Sequence, residues 1–404
     1  MIINNIKEVT EQSMTDYLNV VDLFSGPGGL SRGFEDAKNH NFKFKTVVAN
    51  DINKYAGETY KENHKGTEFI LGSISEEETK KKIISAVRKI TGKSTVDLVI
   101  GGPPCKGFSL ANKMTRDMSN PMNHLMFHYL EMVKRLNPSA FVMENVPGII
   151  AMEKGNVIKG LIEKFKELGY KNTDYMFLNA ADFGAPQFRK RAFVVGSKSN
   201  IPIEIPKQTH GSAEDLKKDP SLLPHVTLID AIDDLPTIRT GRVTSSTNNY
   251  LEKSNPFQTQ MRKKSSSVKD HVITRNSPLV IERIKTVPPG GNWEDIPRKL
   301  MQVDGKYKGI EHAHSMIYKR LLKNEPAITI TNFRKGMIIH PTQNRLFSVR
   351  EAARVQTFPD DYVFKGGLSA KQQQVADAVP VMLAKKVSES ILKHLHQEIK
   401  IASV

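Results

Sequence analysis

A single cysteine, Cys105, excludes an intrachain disulfide and any zinc site built on several thiolates. No apolar run approaches the ~20 residues that a bilayer-spanning helix requires. Met1 to Thr10 also lacks the basic-then-apolar order of a secretory signal, so a cytoplasmic protein without a membrane partner is expected. Acidic residues are in deficit, with 43 Asp and Glu against 59 Lys and Arg, a net charge of +16. Like charge on this scale repels itself in a compact chain. Either a polyanionic partner, nucleic acid first, or a plain solubility bias accounts for it. The distribution favours the partner, because residues 241–320 hold 15 basic against 7 acidic side chains, half of the excess. Tryptophan is equally scarce, and Trp293, the only one, is expected to do no more than pack.

What is present points to two folded units. A chain of 404 residues exceeds what one hydrophobic core usually organises, and 39% hydrophobic with 25% charged residues is ordinary for a folded protein. After a polar start expected to be helical, Asn19 to Phe24 forms a short apolar run that ends in Ser25-Gly26-Pro27-Gly28-Gly29. Leu30 to Ala37 then follows with helical spacing. Further strands are expected at Thr46–Ala49, Val96–Ile100, Ala140–Met143 and Ala192–Gly196, with helix-like segments between them. That alternation predicts an α/β fold, an open, doubly wound, mostly parallel sheet with helices on both faces. From Ile201 the texture shifts to Pro, Ser, Thr, Asn and Lys, and Thr240–Ser267 is loop-like around Arg262-Lys263-Lys264. A second, looser domain fits this stretch. Gln373–His396 regains helical periodicity and is expected to return to the first domain.

Four places carry chemistry. The glycine turn at Gly26, Gly28 and Gly29 would let backbone approach a ligand at the carboxyl end of a strand, with Asp51 at the end of the next strand placed to accept from ribose hydroxyls. A tight turn beside a surface carboxylate is the plainer alternative. Cys105 follows Gly101-Gly102-Pro103-Pro104, a stiff loop that would present a thiol rather than bury it, although a lone cysteine is as often a small core residue. Glu144-Asn145 closes a neighbouring strand, which would put its carboxylate at the same sheet edge. Gln187, Arg189 and Arg191 alternate, so in extended structure they would project to one face; a solvated basic edge would read the same way.

Taken together and in this order, Asp22-Leu23-Phe24-Ser25-Gly26-Pro27-Gly28-Gly29, Gly102-Pro103-Pro104-Cys105, Glu144-Asn145-Val146 and Gln187 with Arg189 and Arg191 resemble the cytosine-5 DNA methyltransferases of bacteria. Arg350-Glu351-Ala352-Ala353-Arg354 with Gln356, Phe358-Pro359-Asp360, and a degenerate Gln374–Pro380 are similar to later blocks of that family. The resemblance implies a Rossmann-like S-adenosylmethionine-dependent methyltransferase fold. Residues 1–200 would bind cofactor and catalyse, completed by a helix at about 370–404, while 201–369 would form a smaller target-recognition domain. It implies Cys105 as nucleophile on cytosine carbon 6, with Glu144, Arg191 and Arg189 gripping the ring. The cofactor, S-adenosylmethionine, which leaves as S-adenosylhomocysteine, would meet Phe24, Ser25, Gly26, Gly28, Gly29, Leu30, Asp51, Ile52, Ser73, Ile74, Pro103, Leu125, Asp377 and Val379. No metal is implied.

Double-stranded DNA would be held by Lys106, Ser109, Arg262, Lys263, Lys264 and Lys269, with the target cytosine flipped out of the stack. A monomer associated with the nucleoid, acting alone or beside a separate restriction endonuclease, would follow. Four positions depart from the family pattern: Ser73 stands where an Asp is usual, Lys106 replaces Gln, and Ala376-Asp377 replaces Gly-Asn. Two other readings share these blocks, an RNA cytosine methyltransferase and a DNA-binding protein that has lost catalysis. Against the first, the Cys-Phe-Thr element of the related tRNA enzyme is missing; against the second, every catalytic group is retained.

Overall fold

A computed structural model describes residues 16–39, 42–104, 125–239, 242–252, 254–303, 306–307, 316–331, 333 and 335–402. The expected helical start before Asp16 lies outside the described residues. The first unit alternates strands and helices: β1 (Asp16–Leu23), α1 (Gly29–Asp36), β2 (Phe42–Asp51), α2 (Lys54–Asn63), β3 (Glu68–Leu71), α3 (Glu77–Thr91), β4 (Leu98–Gly101), α4 (Leu125–Leu136), β5 (Ala140–Asn145), α5 (Gly148–Ala151), α6 (Asn156–Glu167), β6 (Asn172–Asn179) and β7 (Lys190–Ser197). These strands make one seven-stranded sheet of order β3-β2-β1-β4-β5-β7-β6. The first five run parallel, whereas β7 is antiparallel to both β5 and β6.

Period-two alternation explains why both faces are covered. Val21, Val99, Phe141 and Met143 point into one layer with Ile83, Val87, Tyr129, Val133 and Phe165 from α3, α4 and α6. Val20, Leu98, Ile100 and Val142 point the other way, onto Leu30 and Phe34 of α1 and Leu383, Val387 and Ile391 of the last helix. That last helix, expected as one run from Gln373, is divided at Pro380 into Leu368–Asp377 and Val381–Ala402, since proline cannot continue the hydrogen-bond ladder. The five expected strands are all present and mostly longer than their apolar cores suggested. Two strands escaped the sequence pattern. β3 is only four residues long, and β6 (NTDYMFLN) is an edge strand that buries Thr173, Met176 and Leu178 but exposes Asp174, Tyr175 and Phe177, so hydrophobicity does not alternate cleanly.

Residues 201–348 carry short helices and long loops, among them Leu228–Ile232, Pro256–Arg262 and Pro278–Thr286. One core joins Leu228, Leu235, Phe257 and Met261 to Val349, Ala353, Phe358 and Tyr362. A smaller one, with Ile284, Val287 and Ile339, takes Trp293 against its side. Bonds back to the sheet begin before position 370: Asn63 Nδ2 donates to the Val363 carbonyl (2.8 Å), and Lys365 N–H donates to Thr59 Oγ1 (2.8 Å). No helix among the described residues is long and apolar enough to cross a membrane.

Candidate active site

The carboxyl ends of β1, β2, β4 and β5 meet at one edge of the sheet, where an open α/β fold leaves a crevice. β1 is followed by Phe24, whose φ of +56° is unusual for a side chain of that size; the turn that begins there is held from several directions. Ser25 N–H donates to the Asn50 carbonyl (3.0 Å) and Gly28 N–H to the Ser25 carbonyl (3.0 Å). Gly26, at φ +54°, donates its N–H to Asp51 Oδ2 (2.8 Å), while Asp51 Oδ1 accepts from Asn53 N–H (2.8 Å). Each Asp51 oxygen keeps a further lone pair for a hydroxyl donor. Burial raises the Asp51 pKa and Asp377 adds to the rise, while the backbone donors oppose it.

β4 delivers Gly101-Gly102-Pro103-Pro104 to the same edge. A side chain at Gly102 would crowd Glu144 Oε2, 3.1 Å from an added Cβ. Glu144 closes β5, and its Oε1 lies 2.7 Å from Arg191 Nε on the adjacent β7. Its neighbour Asn145 donates from Nδ2 to the Pro103 carbonyl (3.1 Å), which ties the proline loop to β5.

The alternating triplet divides into different tasks. Gln187 is fully buried; its Nε2 donates to Gln356 Oε1 (2.9 Å), and its Oε1 accepts from Ile330 N–H (2.8 Å). Arg189 donates to the Ile330 and Ala376 carbonyls, each at 3.0 Å, and so joins three chain segments behind the crevice. Burial first, then the charge of Arg191, depresses the Arg189 pKa well below its usual value, with Glu144 and Asp377 acting the other way. Only Arg191 reaches the carboxylate.

These elements enclose a cavity of about 760 Å³. Every residue expected at the cofactor lines it except Gly28, and Glu144, Arg189 and Arg191 share the same space. Gly28 instead faces away, and a Cβ there would collide with His64 and Tyr362. Ile52 stands 70% exposed, so an apolar face is available to a flat ring. Asp22 Oδ1 and Ser25 Oγ are buried polar atoms without a protein partner. Such atoms are costly unless something else satisfies them. Ser73 Oγ is hydrogen-bonded to Ser75 Oγ (2.7 Å).

Residues 18–393 match the family described as C-5 cytosine-specific DNA methylase. The chain belongs to that family. Type II methyltransferase M1.HphI of Haemophilus parahaemolyticus is 33% identical over 381 residues, spanning 93% of this chain and 87% of that protein. M.DdeI of Desulfomicrobium norvegicum is 32% identical over 396 residues, spanning 93% and 88%. Among solved structures, a prophage-encoded protein of E. coli superposes with a TM-score of 0.68 over 94% of this chain and 99% of its own, at 25% identity. The methylase is therefore an enzyme on the Rossmann-like methyltransferase fold, as the resemblance implied, and its sheet is the mostly parallel one that the strand pattern predicted.

Cys105, Lys106 and Ser109 of the methylase lie outside the described residues, although the loop leading to them is described as far as Pro104. Lys263, Lys264 and Lys269 are exposed. Arg262 turns inward: its Nε donates to Asp234 Oδ2 (2.7 Å) and its guanidinium lies over the Tyr250 ring, so part of that basic cluster holds the fold. Asp22, Asn145 and Gln356 also shape the site and were not singled out for it. Asp22 had a visible signal, an acid inside the apolar run of β1; Asn145 and Gln356 stand in the motif blocks quoted above, but only the fold shows which bonds they make.

Proposed function

We propose that the methylase transfers a methyl group from S-adenosylmethionine to carbon 5 of a cytosine flipped out of duplex DNA, through a covalent bond to Cys105. The observation that carries this reading is the Glu144–Arg191 pair at 2.7 Å, set on the cavity that also receives the loop running into Cys105. A carboxylate and a guanidinium side by side offer an acceptor and a donor to the edge of a pyrimidine. The cofactor fits the other half of the cavity: Asp51 for the ribose, Phe24, Ile52, Ile74 and Leu125 for apolar contact, and the orphaned oxygen of Asp22 for a cationic group. When bound, it supplies an electrophilic methyl.

Cys105 thiolate adds to carbon 6, and the electron density moved onto the ring makes carbon 5 nucleophilic. One Glu144 oxygen accepts from the exocyclic amine while the other shares a proton with N3, and Arg191 donates to O2, so negative charge arising on the ring during attack is met by a proton and a fixed cation. After methyl transfer, loss of the carbon 5 proton to solvent and departure of the Cys105 thiolate restore the aromatic ring. Arg189 keeps the backbone around residues 330 and 376 in place. Flipping the base costs a few kcal/mol, offset by phosphate contacts from Lys106, Ser109, Lys263, Lys264 and Lys269. Residues 201–369 read the target sequence in this scheme, and the methylase acts as a monomer in the cytoplasm, on the nucleoid, alone or beside a separate endonuclease.

The test is a trapping experiment. Duplex DNA carrying 5-fluorocytosine at the target lacks the carbon 5 proton, so incubation with S-adenosylmethionine is expected to leave a covalent adduct at Cys105, visible by mass spectrometry and absent in Cys105→Ser. A verified target that yields methylated product from normal cytosine but no adduct would falsify the covalent route.

A further inference from the structure

Gly28 is the one expected cofactor residue that does not line the cavity. Gly28 is packed against His64, from the end of α2, and Tyr362, from the segment after the Val349–Val355 helix; an added Cβ would strike both. Tyr362 Oη donates to the carbonyl of Pro27, the residue between Gly26 and Gly28. His64 Nε2 lies 2.9 Å from Tyr362 Oη, and His64 Nδ1 lies 2.9 Å from Glu35 Oε2 on α1. The His64 ring is buried and stacked on Tyr60 with centroids 4.3 Å apart. A chain of hydrogen bonds thus runs from α1 through α2 and the C-terminal part of the protein into the backbone of the glycine turn.

The direction of each bond follows from donor accounting. A carbonyl only accepts, so the single Tyr362 hydroxyl proton goes to Pro27, and Tyr362 offers His64 only a lone pair. His64 Nε2 must then carry hydrogen. The Glu35 carboxyl is pushed up by burial but held below its usual range overall, because the bond and charge of His64, helped by Thr46 and Arg32, outweigh that burial. An ionised Glu35 accepts only, so Nδ1 must carry hydrogen as well. Both bonds together require the imidazolium form of His64; a neutral ring sets a nitrogen lone pair against an oxygen lone pair at one end.

We propose that Glu35, His64 and Tyr362 are positioning residues that hold the Pro27 carbonyl, and through it the glycine turn, in the conformation that receives the cofactor, with His64 donating from both ring nitrogens. The proposal rests on the turn being part of the cofactor site. Titratable and charged groups facing the ring are Glu35 and Arg32 from α1, Asp22 from β1, Tyr60 from α2, and Asp361 with Tyr362 from the return segment.

The probe is S-adenosylhomocysteine in calorimetry without DNA, combined with nitrogen NMR of labelled histidine. In the wild-type protein, both His64 ring nitrogens should report as protonated at neutral pH; a neutral tautomer there overturns the proposal without any variant. Tyr362→Phe keeps the ring and removes the bond to Pro27, and should weaken S-adenosylhomocysteine binding by about tenfold while DNA affinity is unchanged. Wild-type affinity in a folded Tyr362→Phe protein, whatever its melting temperature, overturns it. Glu35→Gln supplies an amide donor to Nδ1, so a neutral ring can keep both bonds; nitrogen NMR should then report hydrogen on Nε2 alone, and a doubly protonated ring in this variant counts against the relay. A wild-type protein that binds no S-adenosylhomocysteine sinks the cofactor assignment itself, whereas variants that bind as well as wild type sink only the relay.

Discussion

Arg191 on β7 and Glu144 on β5 meet across an antiparallel strand pair, with Nε 2.7 Å from Oε1 and both side chains mostly enclosed. Each limits the space open to the other, and Gly102, by lacking a Cβ, leaves room for the carboxylate on a third side. Two groups of opposite charge are thereby fixed at the cavity wall before any base arrives. Such preorganisation is the usual source of large electrostatic effects in catalysis.

Glu144→Gln should separate chemistry from binding. The amide keeps the shape but loses the charge that faces Arg191, and methyl transfer is expected to fall by about 100-fold or more, the range for a positioned acid or base. Binding of S-adenosylhomocysteine should change little, since Asp51 and the glycine turn are untouched. Single-turnover transfer of a labelled methyl group measures the first and calorimetry the second; a rate within a few-fold of wild type would remove Glu144 from the reaction.

Asp22 makes stability depend on pH. Burial drives its carboxyl from 3.8 up to about 8, opposed by the Ser31 hydroxyl bond (2.6 Å) and assisted by Asp51 and Glu35. The folded protein therefore holds a proton that the unfolded chain has already released across that window. Stability should fall as pH rises from the unfolded value toward the folded one. Asp22→Asn keeps an acceptor for Ser31 and cannot ionise, so its melting temperature should vary less than that of wild type between about pH 5 and about pH 8. Parallel curves for the two proteins would contradict this.

Arg354 anchors the second core. It is fully buried, donating to Asp234 and to Asp360 Oδ1 (3.0 Å) and Oδ2 (2.6 Å), and its pKa is raised because these carboxylates outweigh the burial that would lower it. Arg354→Ala removes the guanidinium shared by two buried carboxylates, leaving Asp234 with Arg262 and Asp360 with Tyr250 and Arg350, and removing one partner of a buried pair costs about 3–5 kcal/mol. Urea denaturation should show that loss as a lower midpoint. A change under about 1 kcal/mol would mean that the carboxylates find other partners or take up protons.

Lys263 and Lys264 are exposed beside the inward-turned Arg262. If both meet phosphates, replacing them together with Gln should reduce the slope of log affinity against log salt by about 1.8, from ~0.9 per phosphate contact. Filter binding over a salt series measures this, and an unaltered slope assigns the phosphate contacts to other residues.

Local pattern carried far in this protein where one residue type has one physical use. The apolar runs of β1, β4 and β5 had to be inner strands, because they bury side chains on both faces, and the glycine turn after β1 had to be a close-approach backbone. The order of the motif blocks carried the chemistry. β6 stayed hidden because half of an edge strand faces water, and β3 because four residues give too short an alternation. Which partner each polar side chain takes was decided only by the tertiary structure. Arg189 and Arg191 look alike two positions apart, yet one clamps carbonyls at Ile330 and Ala376 and the other meets Glu144. Gly28 looks like cofactor backbone, yet its missing Cβ makes room for His64 and for a tyrosine more than 300 positions further along. Hydrogen bonds and close contacts depend on distances set by the path of the whole chain, and spacing along the sequence does not encode that path.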